Sequence, residues 1–360
     1  MAILTRRNFI QAAGAAATLP MLGSTAFAQE KLKVGFIYLG PIGDYGWTWA
    51  HNKGREEMQA ALGDKVESVY VENVAEDASA TPLIRDLANQ GCKLIFTTSY
   101  GYMDQTLEVA AEFPDVKFEH CTGFKMADNV SVYNSRFHEG RAVLGTIAGM
   151  TSKTGTLGYL GSYKVPEVVL GVNSFLLAAQ KKNPDAKLKV VFIDSWFDPP
   201  KEAAATETLL NLGADIVTTH TDSPAALQIL EQRGLFGFGQ GADMSSFAPT
   251  AHLTAIEDIW GPHYTRRAQA VLDGTWKSEN IWEGMVDGTV VISPYNASLP
   301  ADVVAEADKI KAGYMDGSFD IFTGPIYDTE GTLRVEEGKV LTLEELATQD
   351  WFVKGVETAA

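Results

Sequence analysis

The sequence predicts an α/β protein made of two doubly wound lobes, each built around a parallel sheet. The chain has 360 residues, more than one hydrophobic core usually supports, so two packed lobes are expected. Short apolar runs rich in β-branched residues alternate with longer amphipathic stretches, the pattern of parallel strands joined by crossover helices. The alternation ends near Gly155 and begins again at once, which indicates a second lobe of the same design.

The first 28 residues have the pattern of an export signal. The pair Arg6-Arg7 precedes an apolar, alanine-rich run that ends in Ala-Phe-Ala at 26–28, and we predict cleavage after this tripeptide. The paired arginines are typical of the twin-arginine route. Gln29 stands where a lipoprotein would carry its cysteine. We therefore expect a soluble periplasmic protein that is not a lipoprotein.

Residues 29–154 form most of the predicted first lobe. Its strands are expected at 33–39, 67–71, 94–98, 116–119 and 130–133. Its helices are expected at 49–61, 80–90, 102–113 and 137–152. Cys92 precedes the third strand and Cys121 follows the fourth, so parallel strands would hold the two thiols about 15 Å apart. We predict two free, buried cysteines.

Residues 155–260 form most of the predicted second lobe. Its strands are expected at 156–160, 189–193, 215–219, 235–239 and 251–255, and its helices at 166–182, 201–212 and 224–231. A helix at 262–272 and a strand at 289–293 continue neither series, so we expect several crossings that form a hinge. We assign about 261–288 to the first lobe, about 289–330 to the second, and 331–360 to an extension that packs on the lobes.

Composition and charge exclude several classes of protein. The chain is 46% hydrophobic, 10% aromatic and 21% charged, which is typical of soluble globular proteins and excludes a disordered chain or a coiled coil. A net charge of −17 repels the phosphates of nucleic acids and anionic membranes, so we expect no nucleic-acid or membrane-surface partner. The cleft between the lobes is the expected binding site for a small ligand.

The usual catalytic motifs are absent from the sequence. The first strand is not followed by Gly-x-Gly-x-x-Gly, and neither a phosphate-binding Gly-x-x-x-x-Gly-Lys-Ser/Thr nor a Gly-x-Ser-x-Gly occurs. The six histidines are scattered singly, without the spacing of a metal site. We predict a protein that is not an enzyme and holds no cofactor or metal. An exported enzyme is the alternative, since the twin-arginine route often carries proteins folded around a cofactor.

Aromatic and short polar residues gather where predicted strands end. Trp47 follows a strand of the first lobe and Trp196 a strand of the second. Either they cap helices and fill the core, or they face one cleft and sandwich a flat heteroaromatic ring, each face contributing about 0.5–1.5 kcal/mol beyond its area burial. We favour the second interpretation. The candidate ligand-binding residues are Asp44, Tyr45, Trp47, Tyr100, Asn134, Trp196, Phe197 and Asp243.

The run Gly-Asp-Tyr-Gly-Trp at 43–47, the export signal and the two-lobe order together resemble the basic membrane protein family of ABC-transporter substrate-binding proteins. The segments 137–141 and 241–243 are also similar to that family. The resemblance covers about residues 31–340. It implies a type I periplasmic binding protein fold with a multi-crossover hinge, an inner-membrane ABC permease as partner, and a monomer. The implied ligand is a purine base or nucleoside, stacked between Trp47 and the Trp196–Phe197 pair.

Two departures from the family pattern bear on the ligand. The chain has Thr48 where the nucleoside binders often have Asn, and residues 284–287 contain no basic side chain. A free nucleobase or another planar heterocycle is therefore at least as strongly expected as a nucleoside. A receptor of the same fold for sugars or other small solutes is a further alternative, because the fold alone does not determine the ligand.

Overall fold

Two large sheets and the helices packed on them make up the computed structural model, which describes residues 31–359. The predicted export signal at 1–28 and Gln29 lie outside the described residues. Within the described part of the chain, no helix is both long enough and apolar enough to span a membrane.

The first sheet has six strands, all parallel, in the order β11-β5-β4-β3-β1-β2. Strands β1 and β3, with the sequences LKVGFI and LIFT, lie almost entirely in the core. Continuous apolar runs of this kind are expected where helices cover both faces of a parallel sheet. The strands are β1 (Leu32–Ile37), β2 (Val66–Val71), β3 (Leu94–Thr97), β4 (Lys117–Cys121), β5 (Val130–Ser135) and β11 (Asn280–Glu283).

The second sheet has seven strands in the order β12-β10-β9-β8-β6-β7-β15. All neighbours are parallel except β12, which runs antiparallel to β10 at one edge. The strands are β6 (Thr156–Gly161), β7 (Lys187–Phe192), β8 (Ile216–Thr219), β9 (Phe236–Gly241), β10 (His252–Asp258), β12 (Val290–Ile292) and β15 (Val356–Ala359).

The first five strands of each sheet share the order 2-1-3-4-5, an order of doubly wound α/β folds. The predicted fold class of two doubly wound α/β lobes is therefore confirmed, with β12 as an antiparallel edge strand in an otherwise parallel second sheet. A two-stranded ribbon, β13 (Ile326–Tyr327) and β14 (Leu333–Val335), lies outside both sheets. The helices are α1 (Gly46–Leu62), α2 (Ala80–Asn89), α3 (Met103–Glu112), α4 (Phe137–Thr151), α5 (Pro166–Lys182), α6 (Pro199–Asn211), α7 (Ala225–Arg233), α8 (Gly261–Leu272), α9 (Ala301–Asp316) and α10 (Leu343–Ala347).

Local sequence signals account for where several helices begin and end. Helix α6 starts at Pro199, where the fixed φ of proline suits the first helical position. The Asp198 side chain caps it by accepting a hydrogen bond from the backbone N–H of Lys201 at 3.1 Å. Helix α7 ends at Arg233, and Gly234 directly after it adopts the left-handed conformation that terminates helices.

The chain passes between the two sheets three times. It crosses from β5 into α4, from β10 into α8, and from β11 into β12. The Ser135 hydroxyl donates to Asp258 Oδ1 at 3.0 Å, and the backbone N–H of Ile259 donates to Thr289 O at 2.9 Å. These bonds tie the crossings to one another.

Helix α4 shares a core with the second sheet. The buried residues Val143, Leu144 and Ile147 pack with Val172 and Phe175 of α5. The sequence-based boundary at 154 puts α4 in the first lobe, because an amphipathic pattern does not reveal which core a helix joins. At the other end of the chain, β15 pairs with β7 as an edge strand of the second sheet.

Both cysteines are free and buried, which confirms their prediction. Cys92 precedes β3, whereas Cys121 is the last residue of β4. Since β3 and β4 run parallel, with Leu94 beside Lys117 and Thr97 beside His120, the two thiols lie at opposite ends of the pair.

Candidate functional site

A cavity lies between the two lobes, and side chains from both lobes line it. Most of its lining residues lie near the carboxyl ends of strands, and both sheets contribute. They are Leu39, Trp47, Ser99 and Thr122 from the first lobe, and Glu167, Trp196, His220, Asp222 and Gln240 from the second.

The position of the cavity follows from the strand order. A doubly wound sheet leaves a crevice at its switch point, beyond the carboxyl ends of the strands. In the first sheet this point lies between β1 and β3, which Leu39 and Ser99 follow. In the second it lies between β6 and β8, where Glu167 lies in the first turn of the helix after β6 and His220 directly follows β8. The cavity therefore joins the switch points of both lobes.

Trp47 enters the cavity from the first turn of α1. Its indole Nε1 donates a hydrogen bond to the Thr98 carbonyl oxygen at 2.6 Å. Its ring meets His51 and Trp260 edge-on, with centroid distances of 4.3 and 5.6 Å. The polar end and the packed edges together fix the orientation of the ring that lines the cavity.

Trp196 enters the cavity from the loop that follows β7 in the second lobe. Its indole Nε1 donates to Glu76 Oε2 at 2.8 Å. In the first lobe, Glu76 Oε1 accepts hydrogen bonds from the backbone N–H of Gly101, at 2.7 Å, and from the Ser99 hydroxyl. Glu76 therefore ties the second indole to the opposite lobe.

A second contact between the lobes lies beside Trp47. The backbone N–H of Trp47 donates to Asp222 Oδ1 at 3.1 Å, and the backbone N–H of Asp222 donates to Trp196 O at 3.0 Å. Gly46, with a φ of 81°, lies so close that a Cβ atom there would stand 2.9 Å from the Asp222 carbonyl oxygen. The lobes are therefore closed around the cavity.

Arg141, on α4, is fully buried and holds the ends of β8 and β9 together. Its guanidinium donates to Thr218 Oγ1 and Thr219 O, both at 2.7 Å, and to Gln240 Oε1 at 2.6 Å. It also lies over the Tyr159 ring, 5.2 Å from the centroid. The side-chain carbonyl oxygen of Gln240 already accepts a hydrogen bond from Arg141. In the cavity wall Gln240 therefore offers mainly the N–H donors of its side-chain amide.

His220 contributes a neutral imidazole to the cavity wall. Its Nδ1 is hydrogen-bonded to the Tyr159 hydroxyl at 3.0 Å. Burial, together with the nearby positive charge of Arg141, lowers the pKa of His220 well below its ordinary value. A neutral imidazole has one donor and one acceptor nitrogen, so its second nitrogen, Nε2, can hydrogen-bond a ligand.

Glu202 fixes the loops that carry His220 and Trp196. This buried side chain accepts hydrogen bonds from the Thr221 and Ser223 hydroxyls at 2.8 and 2.7 Å, and from the backbone N–H of Asp198 at 3.1 Å. Burial raises the pKa of Glu202, whereas these hydrogen bonds lower it. The Glu202 carboxyl group thus fixes the loops after β7 and β8 relative to each other.

The cavity also contains two carboxyl groups that favour the neutral form. Burial, together with the charges of Glu76 and Asp258, raises the pKa of Glu167 to about 8. Burial raises the pKa of Asp222 to about 7, although the hydrogen bond from Trp47 opposes the shift. Below those values the cavity offers many hydrogen-bonding groups and little charge, which suits a neutral ligand.

Four of the eight sequence-predicted site residues lie at the cavity or its mouth. Trp47 and Trp196 line the cavity itself. Tyr45 and Phe197 line an adjoining recess, which also contains Asp222. The other four residues line neither space: Asp44 is exposed, Tyr100 is half-buried, Asn134 donates to the Gly123 carbonyl oxygen at 3.4 Å, and Asp243 accepts from the Ser245 backbone N–H at 2.8 Å.

Most of the polar residues that line the cavity lie outside the aromatic pattern that predicts the site from the sequence. His220 and Asp222 follow a strand that the sequence predicts correctly, so their position at a strand end was an available signal. Gln240 lies inside a predicted strand-to-turn segment, and Glu167 lies in the first turn of a predicted helix. Nothing in the sequence distinguishes that glutamate from a surface residue, since helix starts commonly carry acidic side chains.

Comparison with known proteins identifies the family. A family model described as Bmp, ABC transporter substrate-binding protein PnrA-like, matches residues 31–318. The chain belongs to this family. The resemblance inferred from the sequence is thereby confirmed, and PnrA-like proteins are substrate-binding proteins rather than enzymes. Membership implies a small-molecule ligand and an ABC permease as partner.

Several named proteins are similar to this PnrA-like chain. A purine-binding protein of Brucella abortus (strain 2308) is 53% identical, across 94% of this chain and 96% of its own length. A protein of Haloferax volcanii, provisionally named ABC transporter glucose-binding protein, is 29% identical across 91% of this chain and 81% of its own length. A solved ABC transporter solute-binding protein from Aeropyrum pernix K1 has a TM-score of 0.71 at 16% identity, covering 80% of this chain and 92% of that one. The last likeness concerns the fold alone.

Proposed function

We propose that this protein is a periplasmic receptor that closes its two lobes around a purine base or nucleoside. The observation that carries the proposal is that Trp47 and Trp196 come from different lobes and line one cavity. The 53% identity to a relative named as a purine-binding protein supports the choice of ligand.

The proposed contacts combine stacking with hydrogen bonds at the ring edge. Trp47 and Trp196 contact the two faces of the purine, each contributing about 0.5–1.5 kcal/mol beyond its area burial. Glu167, His220 and Gln240 offer donors and acceptors to the edge, because they line the same cavity.

The proposed contacts differ in part from those predicted from the sequence. Tyr45 and Phe197 are retained at the mouth, where they line the adjoining recess. Asp44, Tyr100, Asn134 and Asp243 are not included, because they do not line the closed cavity.

The proposed cellular role is delivery of the purine to a membrane permease. In this scheme residues 1–28 direct export through the twin-arginine route, and the mature protein acts as a monomer without a cofactor. Closing of the lobes buries the ligand and brings Glu76 to Trp196 and Asp222 to Trp47. The permease would then recognise the closed form, and the protein itself would make or break no covalent bond.

A thermal-shift screen tests the ligand class. A ligand that binds only the folded state raises the melting temperature by mass action. We expect adenine, guanine, hypoxanthine or their nucleosides to raise the melting temperature of the purified protein, and we expect no shift with amino acids. Glucose belongs in the screen because of the Haloferax relative's name. A shift with glucose and none with any purine would contradict the proposal.

A further inference from the structure

Glu167 has an unused hydrogen-bonding atom inside the cavity. It lies in the first turn of α5 and lines the cavity wall. Its Oε2 atom is buried and accepts no hydrogen bond of normal geometry among residues 31–359, although the nearby Thr122 hydroxyl, which donates to the Cys121 carbonyl oxygen, lowers the pKa of the carboxyl. A buried polar atom left without a partner costs free energy comparable to a lost hydrogen bond. Such an atom in a binding cavity is therefore a candidate for a ligand contact.

The surroundings of Glu167 supply no cation to hold it ionised. Among the described residues it forms no ion pair with a lysine, arginine or histidine. The first turn of a helix favours a carboxylate by about 0.3–1 kcal/mol, but burial and the neighbouring acidic groups act in the opposite direction. The titratable groups that share its environment are Glu76, Tyr100, Cys121, Tyr159, His220, Asp222 and Asp258.

We propose that Glu167 is the residue that recognises the polar edge of the purine, and that it does so as a neutral carboxylic acid. This inference rests on the proposed function, since it assigns a role in the same cavity. It concerns a side chain that neither the sequence patterns nor the aromatic pair pointed to.

The chemistry of a neutral acid defines the edge it can recognise. A protonated carboxyl has one O–H donor beside one carbonyl acceptor, whereas an ionised carboxylate has acceptors only. The neutral acid therefore pairs with an edge that places an acceptor beside a donor. The ring nitrogen and amino group of an aminopurine form such an edge, and so do the N–H and carbonyl of an oxopurine. An edge with two donors would pair with the carboxylate instead.

The proposal predicts a pH dependence of binding with a definite sign. Burial and the charges of Glu76 and Asp258 raise the pKa of Glu167 to about 8, so the neutral acid predominates at neutral pH. Binding should be strongest below that value and should weaken as the carboxyl ionises at higher pH. Asp222 and Asp258 have pKa values raised to about 7 by burial, so steps caused by them would come at lower pH.

Isothermal titration calorimetry with adenine and hypoxanthine, from about pH 6 to pH 9.5, tests this assignment. Glu167→Gln keeps a donor beside an acceptor but cannot ionise, so it should bind within about fivefold of the parent at pH 6.5 and lose the step near pH 8. Glu167→Ala should weaken binding about 10- to 100-fold at pH 6.5, the effect of one or two buried hydrogen bonds. Asp222→Asn serves as the matched cavity variant and should retain the loss of affinity near pH 8.

The outcomes separate the assignment from the proposed function. If the parent protein binds purines but the step persists in Glu167→Gln, or Glu167→Ala binds as tightly as the parent, the role of Glu167 is wrong and the purine receptor stands. If the parent binds no purine at any pH, the proposed function itself fails. Ionisation of the purine affects the parent and Glu167→Gln equally, so their difference at each pH reports on Glu167.

Discussion

At the scale of single residues, Gly46 decides how closely the two lobes approach. Its φ of 81° lies in the left-handed region that side chains rarely adopt. The Asp222 carbonyl oxygen of the opposite lobe lies against the position where a Cβ would stand. The same contact brings the Trp47 backbone N–H to Asp222 Oδ1. A glycine is thus required here both by its own backbone and by the surface it meets.

We predict that Gly46→Ala weakens purine binding at least tenfold, because the added methyl group obstructs closure. Gly43→Ala is the matched control, since Gly43 also has a positive φ, of 56°, but a Cβ there would meet nothing within 4 Å. Both variants place an alanine at a positive φ, which costs about 1 kcal/mol of backbone strain. Only Gly46→Ala should also bind the purine more weakly, and calorimetry measures this difference. Equal affinities for the two variants would show that this contact does not control closure.

At the scale of secondary-structure elements, Arg141 on α4 organises the carboxyl ends of β8 and β9. Its guanidinium supplies hydrogen-bond donors to side-chain and backbone oxygens at the ends of these two strands. The planar guanidinium can reach three acceptors at fixed angles, which a lysine ammonium cannot do from the same position. The two strand ends carry His220 and Gln240 into the cavity.

Arg141→Lys should therefore lower the free energy of unfolding by about 2–4 kcal/mol, because buried acceptors lose their donors. Chemical denaturation measures this change. Arg85→Lys is the control, since Arg85 pairs with Glu112 at 2.6 Å on the surface and exposed pairs contribute little. An Arg141→Lys variant as stable as Arg85→Lys would contradict the role assigned to the guanidinium.

Elements differ in how far the sequence predicts them. Long alternating strands and helices are predicted within a few residues, because their apolar periodicity reflects the core. The edge strands β11, β12 and β15 have only three or four residues, and most of these are half-buried or exposed rather than buried. Their sequences therefore resemble loops, and only a strand covering β12 is predicted. The Trp47 and Trp196 positions follow from strand ends, whereas the polar lining depends on how two distant loops meet, which periodicity does not encode.

At the scale of the whole molecule, buried carboxyl groups link stability to pH. Burial raises the pKa of Glu167 to about 8 and that of Asp258 to about 7. In the unfolded chain both groups ionise near pH 4. Between about pH 4 and pH 8 the folded state therefore binds more protons than the unfolded chain. Their contribution to stability is complete below about pH 4 and is lost as the pH rises through 7 and 8. Histidines such as His220, whose pKa is lowered by burial, affect stability only below about pH 6.5.

We predict that the ligand-free protein loses about 2–4 kcal/mol of unfolding free energy between pH 6.5 and pH 8.5. Glu167→Gln should lose less over the same interval, because its side chain cannot ionise. Urea denaturation at the two pH values measures both changes. A parent protein whose stability is constant or rises over this interval would contradict the neutral state assigned to these carboxyl groups.

If a purine binds between two indoles from different lobes, removal of either indole should weaken binding, and calorimetry on tryptophan variants measures this loss. Adenine would be titrated into the parent protein, Trp47→Ala, Trp196→Ala and the control Trp49→Ala, whose side chain lies on α1 but does not line the cavity. The predicted result is binding by the parent and the control within about threefold, and at least tenfold weaker binding by each of the other two. Unchanged affinity in both Trp47→Ala and Trp196→Ala would contradict the account.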